Sequence, residues 1–199
     1  MIICIGREFG SGGHEIGKLL AEKLSLTLYD QEIVTAAVKR CGDIDASKLE
    51  KADERKTNPW IHSVWYGTKE KELRGLSAND ISFGLQSKVI LEAAEKGDCV
   101  FIGRCADYIL KEAGIKCISI FITAPFSTRA ERKMKQLSIS EKAASALVRK
   151  TDKQRKSYYD YYTGGSWGKP YNYDFCINSC TKGIEQTAEE IASFIRILG

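Results

Sequence analysis

The chain has 199 residues, of which 43% are hydrophobic and 28% charged, with a formal net charge of +4. Such a chain buries one good core, with room for a small movable subdomain, and its composition excludes a disordered or fibrous protein. No apolar run reaches the length of a membrane span, and Ile2-Ile3 begins a strand rather than a signal peptide.

The seven cysteines are an odd number without a C-x-x-C pair, and several sit in apolar strand-like runs. They read as reduced core residues, which sets the expectation of a cytoplasmic protein without a structural zinc site. The modest positive charge suits an anionic small ligand. Without clustering it gives no reason to expect nucleic acid, and no membrane partner is expected either.

Ile2 to Ile5 form a short apolar run with the β-branched bias of a buried strand. Gly6-Arg7-Glu8-Phe9-Gly10-Ser11-Gly12-Gly13 is too rich in glycine for helix or strand. Ile16, Leu19, Leu20 and Leu24 then recur at helical spacing, so a helix begins near Gly13. Strand, glycine loop and helix start aim backbone N–H groups at one point, with the positive end of the helix dipole behind them. A phosphate is the natural occupant, held along Gly10, Ser11, Gly12, Gly13, His14 and Glu15. The common phosphate-loop pattern is incomplete, because Gly13 stands at its lysine position and His14 at its hydroxyl position. The dinucleotide fingerprint fails at Glu15, where its third glycine belongs.

Leu26 to Tyr29 reads as a second strand, and Asp30 caps a helix carrying Ile33, Val34 and Val38. From Gly42 to about Ser77 no strand fits. A charged helix over Asp45 to Lys56, an Asn58-Pro59-Trp60 break and the aromatics Trp60, His62, Trp65 and Tyr66 read as a helical insertion. Asn79 to Lys96 is a long amphipathic helix, and Cys99 to Ile102 is a strand buried on both faces. That strand runs into Gly103-Arg104, which presents an arginine at the carboxyl edge of the sheet, where ligands collect in open α/β folds.

Lys116 to Thr123 is another buried strand, and residues 127 to 135 form a helix with Arg129 and Arg132 three apart. Ser138 is expected to cap the next helix, whose later turns carry Arg149, Asp152 and Arg155 at intervals of three. With Lys153 these arginines give a helical pair dense in positive charge, able to close like a jaw over the glycine loop. Tyr171 to Asn178 is a last strand and Ile184 to Leu198 a closing amphipathic helix. The expected architecture is α/β, a five-stranded parallel sheet covered on both faces.

The order of parts resembles the nucleoside monophosphate kinases, and most closely the cytidylate-kinase-like family. REFGSGG, LYDQEIV, VFIGRCADYIL, SIFITAPFSTRAERK, VRKTDKQRKSYYDYY and YNYDFCIN carry the likeness over nearly the whole chain. It implies a single three-layer P-loop kinase domain over residues 1–199, with a helical substrate-binding insertion at about 42–77 and an arginine-rich lid at about 127–165. It implies ATP with Mg²⁺ on Gly10 to Gly13 and a clamp of Arg129, Arg132, Arg149 and Arg155 on the transferred group. Asp30, Arg104 and the insertion would face a nucleoside monophosphate or similar acceptor, with Asp152 on the substrate side.

Two positions depart from the family. Gly13 replaces the loop lysine, and Ile102 stands where the acid of an Asp-Gly-Arg is usual. Arg7, at the mouth of the loop, is the candidate for the missing cation; Asp107 and Glu15 are candidates for the metal side, and no ligand set for a metal is assigned. The readings that follow are an ATP-dependent small-molecule kinase or, from the absent lysine, a non-catalytic nucleotide- or phosphate-binding sensor. The sequence leaves the oligomeric state open.

Overall fold

A computed structural model describes residues 1–31, 33–35 and 78–198. The insertion read at about 42–77 lies outside the described residues, as does Val38. Among those described, five strands alternate with helices: β1 (Ile2–Arg7), α1 (Gly13–Leu24), β2 (Thr27–Tyr29), α2 (Ala78–Glu95), β3 (Cys99–Ile102) and α3 (Ala106–Glu112). Then follow β4 (Ile118–Thr123), α4 (Phe126–Leu137), α5 (Glu141–Thr163), β5 (Phe175–Asn178) and α6 (Ile184–Leu198). All strand pairings are parallel and the order is β2-β3-β1-β4-β5, so β1 lies in the middle. In register, Ile3 of β1 faces Val100 on one side and Ile118 on the other.

Strand alternation divides the core into two layers. Ile3, Ile5, Val100, Ile102, Ile120 and Ile122 face α1 and α6, meeting Ile16, Leu20, Ala188, Ile191 and Ile195. Cys4, Cys99 and Phe101 face the other way, onto Ile90, Ala93, Ile109 and Leu110 of α2 and α3. Burying both faces of a strand is what makes β3 read as an unbroken apolar run. The result is the expected three-layer P-loop kinase architecture. The connections place the carboxyl ends of β1, β3 and β4 at one edge, with the glycine loop at its centre.

One helix stands where no element was expected, and two local expectations are corrected. The segment after β3 forms α3, whose Ala106, Ile109 and Leu110 are buried at helical spacing. Pro170 opens a single 3₁₀ turn to Asn172, closed by the Tyr173 N–H on the Pro170 carbonyl at 3.2 Å, so the last strand starts only at Phe175. Ser138 ends α4 in a left-handed conformation, with φ at 52°, and the cap of α5 is Ser140, whose hydroxyl accepts the Ala143 N–H at 3.3 Å. Asp30 does cap as expected, accepting the Ile33 N–H at 3.1 Å.

Candidate functional site

The glycine loop takes its shape from two backbone positions that exclude side chains. Gly10 and Gly12 have φ of 83° and 82°. A Cβ on Gly10 would lie 2.8 Å from the Arg129 carbonyl oxygen, and one on Gly12 2.7 Å from the Ile184 side chain. Ser11 between them is fully buried. Its hydroxyl donates to the Glu8 carbonyl at 2.9 Å and accepts the Gly13 N–H at 3.3 Å, while its own carbonyl accepts from Ser179 Oγ at 2.5 Å. The Ser11 side chain is therefore part of the loop's frame. The first-turn amides of α1, at His14 and Glu15, have no carbonyl of their own helix to bond.

A cavity of about 370 Å³ opens beside these amides, lined by the expected phosphate and clamp residues Arg7, Gly10, Gly12, Gly13, His14, Glu15, Arg132 and Arg155, and also by Asp30, which was expected on the acceptor side. Lys133, Glu8 and Phe9 line it too, and the sequence reading assigned none of these a role. Arg132 Nη1 donates to the Gly10 carbonyl at 2.6 Å. The Phe9 ring carries the Lys133 ammonium 4.6 Å and the Arg155 guanidinium 5.5 Å from its centre. Burial pulls both cations below their usual pKa ranges, helped by neighbouring positive charge. His14 Nε2 and Asp30 Oδ2 are 3.1 Å apart.

Arg7 and Gly13 are fitted to each other. A Cβ on Gly13 would lie 2.6 Å from Arg7 Cβ and 3.1 Å from Ile122 Cβ, so the lysine position of the usual loop has no room for a side chain. The Arg7 guanidinium reaches across to Gly103, where an added Cβ would sit 1.8 Å from Nη1. Burial first, then Arg155 and Arg104, hold its pKa well below the ordinary guanidinium range, with Asp30 pulling the other way. Among the described residues no carboxylate pairs with Arg7.

Other expected site residues lie elsewhere. Arg129 is 6% exposed and sits under the loop, bonded to Glu8, Asp152 and the carbonyls of Phe9 and Ala124. Arg149 stacks its guanidinium on the Phe126 ring at 4.6 Å and does not line the cavity. Arg104 and Asp107 line a second, inner cavity of about 60 Å³ on the far side of Arg7 and Arg155, with Tyr158, Tyr159, Trp167 and Tyr173. Burial pushes the Asp107 carboxyl up, against the hydrogen bond it accepts from Tyr159 at 2.9 Å. Of the two acids considered for a metal, only Glu15 reaches the loop cavity. Among the described residues no three His, Cys, Asp or Glu side chains group closely enough to hold a metal by themselves.

The model of the cytidylate kinase-like family matches residues 2–181. The chain belongs to that family. A cytidylate kinase of Pyrococcus horikoshii is 36% identical over 90 residues, 45% of each chain, so the match spans less than half of that relative's length. An uncharacterized protein from Eubacterium ventriosum has a solved structure similar over 98% of both chains, with 28% identity and a TM-score of 0.74. Shikimate kinase from Bacteroides thetaiotaomicron superposes over 98% of both chains with a TM-score of 0.56 at 12% identity, a likeness of fold. Family and fold together give this chain the three-layer α/β frame of a P-loop kinase.

Proposed function

We propose that this member of the cytidylate kinase-like family transfers the terminal phosphoryl group of ATP to a nucleoside monophosphate or similar small acceptor. The observation that carries the reading is the Arg7–Gly13 fit. The loop position of the lysine is a glycine, yet a guanidinium fills the space beside it, and among the described residues no carboxylate forms an ion pair with it, Asp30 acting only at longer range. A buried cation without a counter-charge is costly unless an anion arrives. Arg7, Arg132, Lys133 and Arg155 line the same cavity as the amides, so a polyphosphate there meets four cations.

The chemistry of phosphoryl transfer asks little of the protein beyond position and charge. In this reading the amides of the loop and first turn hold the donor phosphates, and Arg7 and Arg155 face the charge that spreads over the transferred group. Arg104, across Arg7 from the donor, faces the acceptor. Asp30 and Glu15 would hold magnesium. That ion accepts few protein oxygens and keeps its own waters, which fits two carboxylates lining a phosphate cavity in place of the missing loop hydroxyl. Bound there, it supplies charge neutralisation between donor phosphates. The six described cysteines are all free, which suits a reducing compartment.

The test is ATP consumption with a panel of small acceptors, nucleoside monophosphates among them. Turnover should depend on one acceptor, and Arg7→Ala should cut it by roughly 10²- to 10³-fold, the loss typical of one preorganised charge contact. The second reading, a sensor without catalysis, draws on Gly13 and His14 at the lysine and hydroxyl positions. It replaces the first if ATP stabilises the fold while no acceptor gives turnover.

A further inference from the structure

Two side chains of α5, one helical turn apart, hold the backbone of the first half of the loop. Asp152 Oδ1 accepts the Phe9 N–H at 2.7 Å, and Arg155 Nη1 donates to the Arg7 carbonyl at 3.0 Å. The second oxygen of Asp152 pairs with Arg129 Nη1 at 2.5 Å, and the same Nη1 donates to the Phe9 carbonyl at 3.1 Å. Both polar groups of the Phe9 backbone are thus fixed from outside the loop. Arg129 Nη2 lies 3.3 Å from Glu8 Oε1, and its Nε donates to the Ala124 carbonyl at 3.0 Å. Glu8 Oε2 accepts from Thr123 Oγ1 at 2.5 Å and from the Ala124 N–H at 3.1 Å.

One arginine therefore joins two acids, and the acids grip β1, the end of β4 and α5 at once. The side chains of Arg129, Asp152 and Glu8 are 7, 18 and 22% exposed, so water competes weakly for these charged hydrogen bonds. Carboxylates beside an anion site are unfavourable unless their charge is taken up, and here Arg129 and backbone N–H groups take it up. Arg129 and Asp152 do not line the loop cavity, and Glu8, which does, spends its carboxylate on Arg129, Thr123 and the Ala124 N–H.

We propose that Glu8 and Asp152 are positioning residues, acting through Arg129 to set the loop in its phosphate-holding shape and to make the docking of α5 part of that shape. The inference rests on reading the loop as a phosphate site, which was argued above. It assigns Asp152 to the loop rather than to a substrate, and it gives Glu8 a role. Its consequence is reciprocal coupling: whatever orders the loop also holds α5, and freeing α5 loosens the loop.

The experiment is amide hydrogen exchange on the full chain, followed over residues 6–15 and 149–156, with calorimetric titration of ATP. Asp152→Ala should speed exchange of the loop segment at least tenfold without ATP and weaken ATP binding by a similar factor, while exchange in β3 and α6 stays as in the parent. Asp152→Asn, which keeps an acceptor for the Phe9 N–H, should fall between the two. If Asp152→Ala does not fold, Glu8→Gln, whose one carbonyl oxygen can still accept from Thr123 and Ala124 while the ion pair with Arg129 is lost, gives the same local readout. A uniform rise in exchange over the whole molecule, or an unchanged loop in a folded variant, overturns the proposal. Faster loop exchange in a protein that binds no ATP leaves the positioning role standing and defeats the phosphate reading instead.

Discussion

The middle and the C-terminal end of α5 are fastened by different kinds of contact. Around Asp152 and Arg155 the helix meets the loop through charged hydrogen bonds to backbone groups. Two turns later it meets α2 and α3 through aromatic rings. Tyr162 stacks on Phe83 with ring centres 4.0 Å apart and planes within 5°, and Tyr158 approaches the same ring edge-on. The hydroxyls are satisfied as well: Tyr162 donates to Asp80 at 3.1 Å, Tyr158 to Gln86 at 3.3 Å and Tyr159 to Asp107 at 2.9 Å. The aromatic end gains from burial, ring packing and these hydrogen bonds, none of which involves a ligand. A single helix is thus tied to the loop by its charged contacts and to α2 by its aromatic ones.

Substitutions at the anchor and in the loop should separate the two. The largest effect on stability is expected at the anchor: Tyr162, 6% exposed, replaced by alanine should cost about 3–5 kcal/mol in a denaturant titration, as large core truncations do. Tyr162→Phe should cost only about 1 kcal/mol, the worth of its hydrogen bond. A small loss from Tyr162→Ala would mean that α5 is not anchored there. Next comes the loop. Gly13→Ala places a methyl 2.6 Å from Arg7 Cβ and should cost about 1–3 kcal/mol while displacing Arg7. A variant as stable as the parent, with ATP affinity unchanged, would show that the fit between these residues is loose.

The smallest effect is a pH dependence at the inner cavity. Burial raises the Asp107 carboxyl above its ordinary pKa in the folded chain. The folded state then binds more protons than the unfolded one between those two values, so this group costs stability as pH rises through that window and costs nothing below it. Asp107→Asn keeps an acceptor for Tyr159 and removes the penalty. Its unfolding midpoint should exceed the parent's at neutral pH, and the two should converge in acid below the ordinary aspartate range. A variant destabilised equally at both pH values would sink this reading.

The strands were legible because buried parallel strands are unbroken β-branched runs, and the glycine loop because nothing else tolerates that composition. The helix α3 was not read: Ala106, Ile109 and Leu110 have helical spacing, but seven residues behind a Gly-Arg turn give a weak period. Tyr171 and Tyr173 looked like strand residues, and Pro170 ahead of them decided for a turn. The capping serines, two residues apart, differ only in which backbone conformation each adopts. In the site the limit is pairing. Arg129 and Arg149 are indistinguishable as charges on helices, yet one is held by acids and the other lies on a ring. Glu8 meets its partners Thr123, Ala124 and Arg129 across more than a hundred residues of chain, and no local pattern announces such a contact.

The mutual exclusion of Arg7 and a residue-13 side chain has a bearing on ancestry. In the proposed reading a cation at the mouth of the loop comes either from the strand or from the helix start, but single exchanges between the two pass through a form whose residue-7 and residue-13 side chains collide or a form that lacks both. Neither half-way chain keeps the site intact. The two kinds of loop are therefore isolated solutions, and a protein that has adopted one is held to it by its own packing.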